Sequence, residues 1–306
     1  MNWSDHESFI RVYPPKEFNF DECLAFLGRS DQEVLHRING GHVFKLIKVS
    51  GALVLFKVEY SNDSIIVEFL TKTPAIEIRN KVAAYIWDWF DLDCDLDEFY
   101  NLASQDKILR KLAQDYFGLR MISIQDLFEA LTWAILGQQI NLTFAYTLKR
   151  RFVERFGECL TYNGDTFWLF PSFEQISSLD VKDLRILQIT GRKSEYIIGI
   201  ANAMKNGELT KDFLKHQQDD QQTQILLMQY RGVGAWTANY VMMKCLHNKN
   251  SFPIADVGLH HAIKHQLGLE RKPTIKEIEK LSLGWKGWQA YATFYLWRSL
   301  YDSNYS

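Results

Sequence analysis

Ile225-Leu-Leu-Met-Gln-Tyr-Arg-Gly-Val-Gly-Ala-Trp-Thr-Ala-Asn-Tyr-Val-Met-Met243 is the stretch that decides the fold of this 306-residue chain. An apolar helical pattern ends near Tyr230, meets Gly232-Val233-Gly234, and a second helix starts at once. Two glycines around one small apolar residue allow a tight turn and the close approach of an outside group to the backbone. The first N–H groups of the second helix have no partner inside it and point outward with the positive end of the helix dipole. Such a terminus is a ready anion site, and a phosphate suits it without reading any base sequence.

Moving downstream, Phe252-Pro-Ile-Ala-Asp256-Val-Gly-Leu-His-His-Ala-Ile places an aspartate at the start of a helix running through Val257–Gln266. Upstream, residues 42–70 predict β structure. His42–Val49, Ala52–Tyr60 and Ser64–Leu70 are rich in Val, Ile, Leu and Phe, and Ser50-Gly51 and Ser61-Asn62-Asp63 separate them as turns. With a helix over Asp21–Leu27, residues 1 to about 72 form an antiparallel sheet with one or two helices. Thr73-Pro74 then opens a helix carrying Val82, Ile86, Trp89 and Phe90, and acidic Asp88–Glu98 connects it to the next. After about Gln105 the pattern is one of short helices. Ser123 opens Ile124–Gln138, Leu142–Phe156 follows, Lys193–Asn206 comes after Gly191, and Phe167-Trp168-Leu169-Phe170-Pro171 is a loop with buried anchors.

The bulk numbers agree with a folded, multi-part chain. Hydrophobic residues make up 47% and aromatics 14%, which excludes a disordered or linker-rich protein and invites a stacking role. Net charge is −2, but residues 1–110 hold 12 Lys/Arg against 18 Asp/Glu, leaving 23 against 19 for residues 111–306. The mildly basic C-terminal part can track phosphates, although ordinary solvated helix faces explain it as well. Cys23, Cys94, Cys159 and Cys245 form no CxxC pair, so spacing offers neither a zinc site nor an iron–sulfur cluster and predicts reduced thiols. No basic leader, apolar signal segment or membrane span is visible, and a cytoplasmic protein is expected.

The hairpin, followed some twenty residues later by Asp256, resembles the helix-hairpin-helix base-excision DNA glycosylase superfamily. Gly-Val-Gly-Ala-Trp-Thr-Ala-Asn-Tyr240, the Asp256 segment, Ala134-Ile-Leu-Gly-Gln-Gln-Ile140 and Trp285-Lys-Gly-Trp-Gln-Ala-Tyr-Ala-Thr-Phe-Tyr-Leu-Trp297 are most similar to its 3-methyladenine DNA glycosylase II (AlkA-like) group. The resemblance covers roughly residues 110–300, and the β region matches in layout only. It implies an α+β chain: an N-terminal antiparallel domain with connecting helices over 1–110, then an all-α helix-hairpin-helix domain over 111–306 whose two helical subdomains enclose a cleft. The partner it implies is double-stranded DNA with a damaged base, bound by a monomer that is nucleoid-associated if the source is bacterial.

Breaking an N-glycosidic bond leaves an electron-poor sugar, and a carboxylate beneath it stabilises that charge and orients water. The family pattern puts its essential aspartate at Asp256, and the plain alternative, a helix N-cap, is compatible with that role. Relatives that also cleave the strand carry a lysine two residues after the second hairpin glycine, whose amine forms a Schiff base. Here that residue is Trp236, so water is the expected nucleophile and an intact abasic strand the expected product. Trp236 and Tyr240 lie one helical turn apart, and the resemblance adds Trp297 to the same base pocket, where a cationic alkylpurine gains cation–π attraction. Each ring taken alone is more simply a core residue, and it is the three together at family positions beside Asp256 that favour a pocket.

The resemblance further implies DNA contacts from Gly232, Gly234 and Thr237 at the hairpin and from Arg192 and Lys193 at Thr190-Gly-Arg-Lys193. A wedge filling the gap left by the flipped base falls at Gln139, with Ile140 next to it. No cofactor is required, and the hairpin carbonyls of Met228, Tyr230 and Gly232 are expected to hold a structural Na+ or K+. Phe18 or Phe20 could add an N-terminal aromatic to the pocket. His260, His261 and His265 lack the H-E-x-x-H pattern and read as helix histidines, not metal ligands. Two other readings stay open: an oxidised-purine glycosylase with lyase activity, and a noncatalytic helix-hairpin-helix DNA-binding module.

Overall fold

The structure is a computed structural model, and it describes residues 1–302. Strands β1 (Trp3–Asp5), β2 (Phe9–Val12), β3 (Arg37–Asn39), β4 (His42–Val49), β5 (Ala52–Ser61) and β6 (Ser64–Phe69) form one antiparallel sheet in the order β1-β2-β6-β5-β4-β3. The two central hairpins close as the turn chemistry predicts. Ser50 and Gly51 sit at φ 50° and 80°, Asn62 and Asp63 at 50° and 53°, the left-handed pairs that match the strand twist. Period-two alternation then divides β5. Val54, Phe56 and Val58 face α1 (Phe20–Leu27) and α2 (Ile76–Trp89), whereas Leu53 and Leu55 face a two-stranded hairpin of β7 (Cys159–Tyr162) and β8 (Asp165–Trp168).

Helices α3 (Asp97–Gln105), α4 (Leu109–Asp115), α5 (Leu127–Gly137) and α6 (Leu142–Phe156) follow the sheet. After β8 come α7 (Phe173–Ile176), α8 (Val181–Arg185), α9 (Gly191–Lys205), α10 (Lys211–Lys215), α11 (Asp220–Met228), α12 (Ala235–Cys245), α13 (Val257–Gln266), α14 (Ile275–Leu281) and α15 (Gln289–Arg298). Their buried side chains sort into two large cores. One joins the sheet, α1 to α4 and the C-terminal α13 to α15, so it draws on both sides of the expected boundary at residue 110. The other is built from α5, α6 and the run from α7 to α12. Helix α12 serves both, with Ala238, Val241, Met242 and Cys245 in the second core and Tyr240 and Met243 in the first.

Three local expectations need correction. The helix expected from Thr73-Pro74 begins at Ile76 with Ala75 as its N-cap. Arg79 explains the delay, because its Nη1 takes the Pro74 carbonyl while Nε and Nη2 pair with Asp5, holding the chain extended. Ser123 does not open α5. Its N–H and Oγ donate to the carbonyls of Trp89 and Asp88, and Asp126 caps the helix by accepting from Glu129 N at 2.7 Å. Phe167 and Trp168 belong to a strand, not a loop, with Phe167 buried against Leu46 and Leu55.

Candidate active site

Helix α13 opens on Asp256, whose extended backbone and side chain make it the N-cap, with Oδ1 accepting the Leu259 N–H at 2.7 Å. The same carboxylate receives two further donors. Trp236 Nε1 donates to Oδ2 at 2.9 Å, and Trp297 Nε1 donates to Oδ1 at 2.8 Å. Three N–H groups from α12, α13 and α15 therefore fix one partly exposed carboxylate, and bonds to an ionised acceptor are the stronger kind. Tyr240 completes the group, its ring centroid 5.6 Å from Trp236 in a stacked arrangement and 6.0 Å from Trp297. Asp256, Trp236, Tyr240 and Trp297 thus come together from three separate helices.

Gly258 is a residue the sequence reading passed over. A Cβ there would stand 3.0 Å from Asp256 Oδ1 and 3.4 Å from Trp297 Cδ1 and Nε1, so its absence lets the indole reach the carboxylate. A glycine inside the first turn of a helix, where propensity disfavours it, was the available signal.

At the hairpin the two glycines differ. Gly232 adopts φ 93°, and a Cβ on it would fall 2.3 Å from the Tyr196 ring, so the turn and the packing both demand glycine. Gly234 has ordinary extended geometry with open space around it, and it is the N-cap of α12 with no side-chain cap. From α9 to α14, α12 is the one helix without a capping side chain; Thr190, Thr210, Asp219, Asp256 and Thr274 serve the others. Its first-turn N–H groups keep the outward positive end expected of them. Thr237 is 1% exposed, and its Oγ1 accepts from Gln138 Nε2 at 3.0 Å. What it can offer an outside group is its backbone N–H, not its hydroxyl.

Gln139 is exposed and left-handed at φ 56°, standing out between α5 and α6, while Ile140 is partly buried against both cores. The neighbouring Gln138 braces this loop onto the hairpin, donating through Nε2 to the Gly232 carbonyl at 2.9 Å as well as to Thr237. Lys193 braces it from the other side. Its Nζ donates to the carbonyls of Leu136 at 2.7 Å and Gln138 at 2.8 Å, and desolvation lowers its pKa. Lys193, expected among the DNA contacts, thus has its ammonium group on the C-terminus of α5, whereas Arg192 beside it is exposed.

Phe18 and Phe20 also stand elsewhere. They pack with Tyr60 and Phe90 and line a separate groove with Phe117 on the sheet domain. The aromatic residues that do continue the site are Trp133 and Tyr146, their ring centroids 4.8 Å apart and their planes tilted by 51°. Of the histidines, His260 bonds through Nε2 with the Ile254 carbonyl at 2.8 Å, as a packed helix residue does.

Comparison with known proteins supplies the family. Residues 132–287 match the family described as HhH-GPD superfamily base excision DNA repair protein, and residues 12–131 match the N-terminal domain of 8-oxoguanine DNA glycosylase. A DNA-3-methyladenine glycosylase of Bacillus subtilis (strain 168) is 44% identical over 304 residues, covering 98% of this chain and all of that protein. DNA-3-methyladenine glycosylase 2 of Escherichia coli (strain K12) is 29% identical over 209 residues, 68% of each chain. The solved 3-methyladenine DNA-glycosylase from Archaeoglobus fulgidus superposes with a TM-score of 0.82 at 25% identity, covering 97% of this chain and 99% of that one. The hairpin at Gly232, the carboxylate at Asp256 and these matches over nearly the whole length agree: the chain belongs to the HhH-GPD superfamily of base excision DNA repair proteins and is a DNA glycosylase, a hydrolase of N-glycosyl bonds.

Proposed function

We propose that this glycosylase is monofunctional, takes alkylated purines of the 3-methyladenine and 7-methylguanine type out of double-stranded DNA, and leaves an abasic site on an uncut strand. One observation carries the reading: both oxygens of Asp256 are held by indole N–H groups, and those indoles with Tyr240 form a row of rings beside the carboxylate. As the C1′–N bond lengthens, positive charge grows on the sugar, and a fixed anion stabilises it without reorganising. Water adds to C1′, and the base leaves with the bond's electron pair. A cationic alkylpurine departs neutral and, while bound, is attracted to electron-rich rings by about 1–2 kcal/mol.

Among the described residues no amine takes the place on α12 where a Schiff base would form. Trp236 occupies that place on α12, and the helix's lysine, Lys244, is 3% exposed with its Nζ 4.5 Å from the Phe294 ring centroid and bonded to the Ile122 carbonyl. The uncapped start of α12 would take a DNA phosphate. Exposed Gln139, rather than packed Ile140, would enter the duplex as the base leaves. A monovalent cation fits the same hairpin. The Tyr230 carbonyl accepts the Val233 N–H and the Gly232 carbonyl accepts Gln138, so each keeps a lone pair to share with Met228. Such an ion would bridge backbone to phosphate and take no part in bond breaking. The protein would act as a monomer in the cytoplasm; no described helix is long and apolar enough to cross a membrane.

The test is base release from methylated duplex DNA by wild type and by Asp256→Asn, with strand nicking and borohydride trapping alongside. The variant is expected to lose excision on the order of 10²–10³-fold, the scale of removing one preorganised electrostatic group, with duplex affinity kept within a few fold. Equal excision by both proteins, or a trapped covalent adduct with wild type, overturns the reading.

A further inference from the structure

One charged residue beside the ring row belongs to neither the hairpin nor the carboxylate. Arg29 follows the end of α1, in the sheet domain, and its Nη1 donates to the Phe26 carbonyl at 2.8 Å. The guanidinium carbon lies 4.1 Å from the Phe26 ring centroid and 5.6 Å from that of Tyr146. Together with Phe26, Trp133 and Tyr240, the middle ring of the site, it lines a cavity of about 60 Å³. The segment that follows is pinned. Lys149 Nζ sits 2.8 Å from Glu33 Oε2, and Glu33 Oε1 accepts the N–H groups of Val34 and Leu35 at 2.9 Å each.

Arg29 is a cation with little to hold it. Glu33 is committed to Lys149, and among the described residues no carboxylate forms an ion pair with Arg29. Burial works against its charge, but the phenols of Tyr146, Tyr301 and Tyr240 and the more distant Glu33 outweigh that and raise its pKa, so it stays protonated. Tyr240 lines this cavity with Arg29 and stands between Trp236 and Trp297, the two indoles that hold Asp256, so the guanidinium and the carboxylate lie on opposite sides of the same row of rings. A fixed positive charge there gives nothing to a cationic alkylpurine. It suits a different leaving group.

We infer that Arg29 is a specificity-determining residue that lets this site release neutral purines bearing a carbonyl or ring-nitrogen acceptor, in addition to cationic ones. The inference rests on the glycosylase reading above and concerns the base side of the bond. When the C1′–N9 bond of a neutral purine breaks, the base takes the electron pair and becomes an anion. Water gives its hydroxyl to C1′ and its remaining proton ends on the base. A guanidinium donating to the purine oxygen or N7 stabilises that transient anion, and charge-assisted bonds of this kind are the strong ones. A cationic base leaves neutral and needs no such help.

The experiment uses two duplexes, one carrying hypoxanthine and one carrying 7-methylguanine, with single-turnover release measured for wild type, Arg29→Ala and Arg29→Lys. The ratio of hypoxanthine to 7-methylguanine release is expected to fall tenfold or more in Arg29→Ala. Arg29→Lys, which keeps the charge and loses the planar fork, should fall between the two. An unchanged ratio overturns the proposal even if both rates drop, because a merely structural residue would lower both together. Wild type that releases 7-methylguanine but no hypoxanthine overturns the role of Arg29 and leaves the glycosylase reading standing, whereas release of neither base overturns both.

Discussion

Gly258→Ala isolates the link between Asp256 and Trp297 without touching either residue. Gly258 is the second residue of α13 and its φ is not left-handed, so alanine fits the backbone. Alanine is also the better helix former, by about 1 kcal/mol in a helix interior, and the fold should not suffer. The added methyl would meet Asp256 Oδ1 at 3.0 Å and the Trp297 indole at 3.4 Å. The oxygen cannot simply retreat, because the Leu259 N–H holds it at 2.7 Å and Trp297 Nε1 at 2.8 Å. The flexible partner is the indole on α15, and its withdrawal breaks one hydrogen bond to a charged acceptor, about 1.5–3 kcal/mol. If that bond orients the carboxylate in the transition state, the whole amount appears in the barrier, and about 1.4 kcal/mol corresponds to tenfold in rate. Single-turnover excision of 7-methylguanine should therefore fall about 10- to 150-fold, while the melting temperature drops by only a few degrees because the gain in helix propensity offsets part of the lost bond. Excision within twofold of wild type at unchanged stability would refute the reasoning, since the carboxylate and indole would then give way to the methyl without losing their bond.

Other consequences follow from the same geometry. Gly232→Ala forces a side chain into the left-handed region and onto the Tyr196 ring, so both stability and duplex affinity should drop, by about 1–3 kcal/mol in chemical denaturation. Gln139→Ala should slow excision from fully paired duplex more than from a mismatched site, because a wedge matters most where the pair resists opening; equal slowing on both would remove the wedge role. His247 bridges Asp88 and Asp91 at 3.0 and 2.9 Å, and although burial opposes its charge, the two carboxylates push its pKa up to about 9. Since 9 exceeds the ordinary value of 6.5, its contribution to stability should be fully present below about pH 6.5 and be lost as pH rises through 9. His247→Gln should flatten that part of the pH–stability curve.

What the sequence shows and what it hides divide along the range of the interaction. The glycine hairpin, the Asp256 cap with its helix to Gln266, and the Ser50-Gly51 turn all rest on bonds within a few residues, and each stands where the pattern puts it. Lys193 is the contrary case. A basic residue in the first turn of a helix looks like a phosphate contact, but the partners of its ammonium group, the carbonyls of Leu136 and Gln138, lie more than fifty positions away. Ser123 and Thr73 mislead for the same reason, their neighbourhoods being settled by Trp89, Asp88 and the Arg79–Asp5 pair. The β7–β8 hairpin is different: Asn163-Gly164 between Tyr162 and Asp165 is a strong local turn signal, and the adjacent aromatic run obscured it.

Beyond the one-turn spacing of Trp236 and Tyr240, no amphipathic pattern marked the ring row, and α12 shows why. Thr237, Ala238 and every residue from Tyr240 to Cys245 are buried, so this helix has no solvent face from which an inner face could be inferred. Its two sides serve two different cores, and the site opens at its N-terminal end, where those cores meet. That placement has a mechanical consequence. Trp236 reaches Asp256 from a helix anchored in both cores, while Trp297 reaches it from α15, anchored in the first alone. Helices α5 and α6 also span the two cores, but of the indole bonds to Asp256 it is the one from Trp236 that a movement of the second core against the first would load, while the Trp297–Asp256 bond can hold the carboxylate. Trp236→Phe should then loosen the coupling between hairpin and carboxylate, and Trp297→Phe the carboxylate itself. The first would weaken excision chiefly where duplex engagement is limiting and the second would lower the rate of bond breaking at saturating protein. Identical losses from both substitutions in single-turnover rate and in half-saturation would show that the two indoles are interchangeable props and that the seam carries no such coupling.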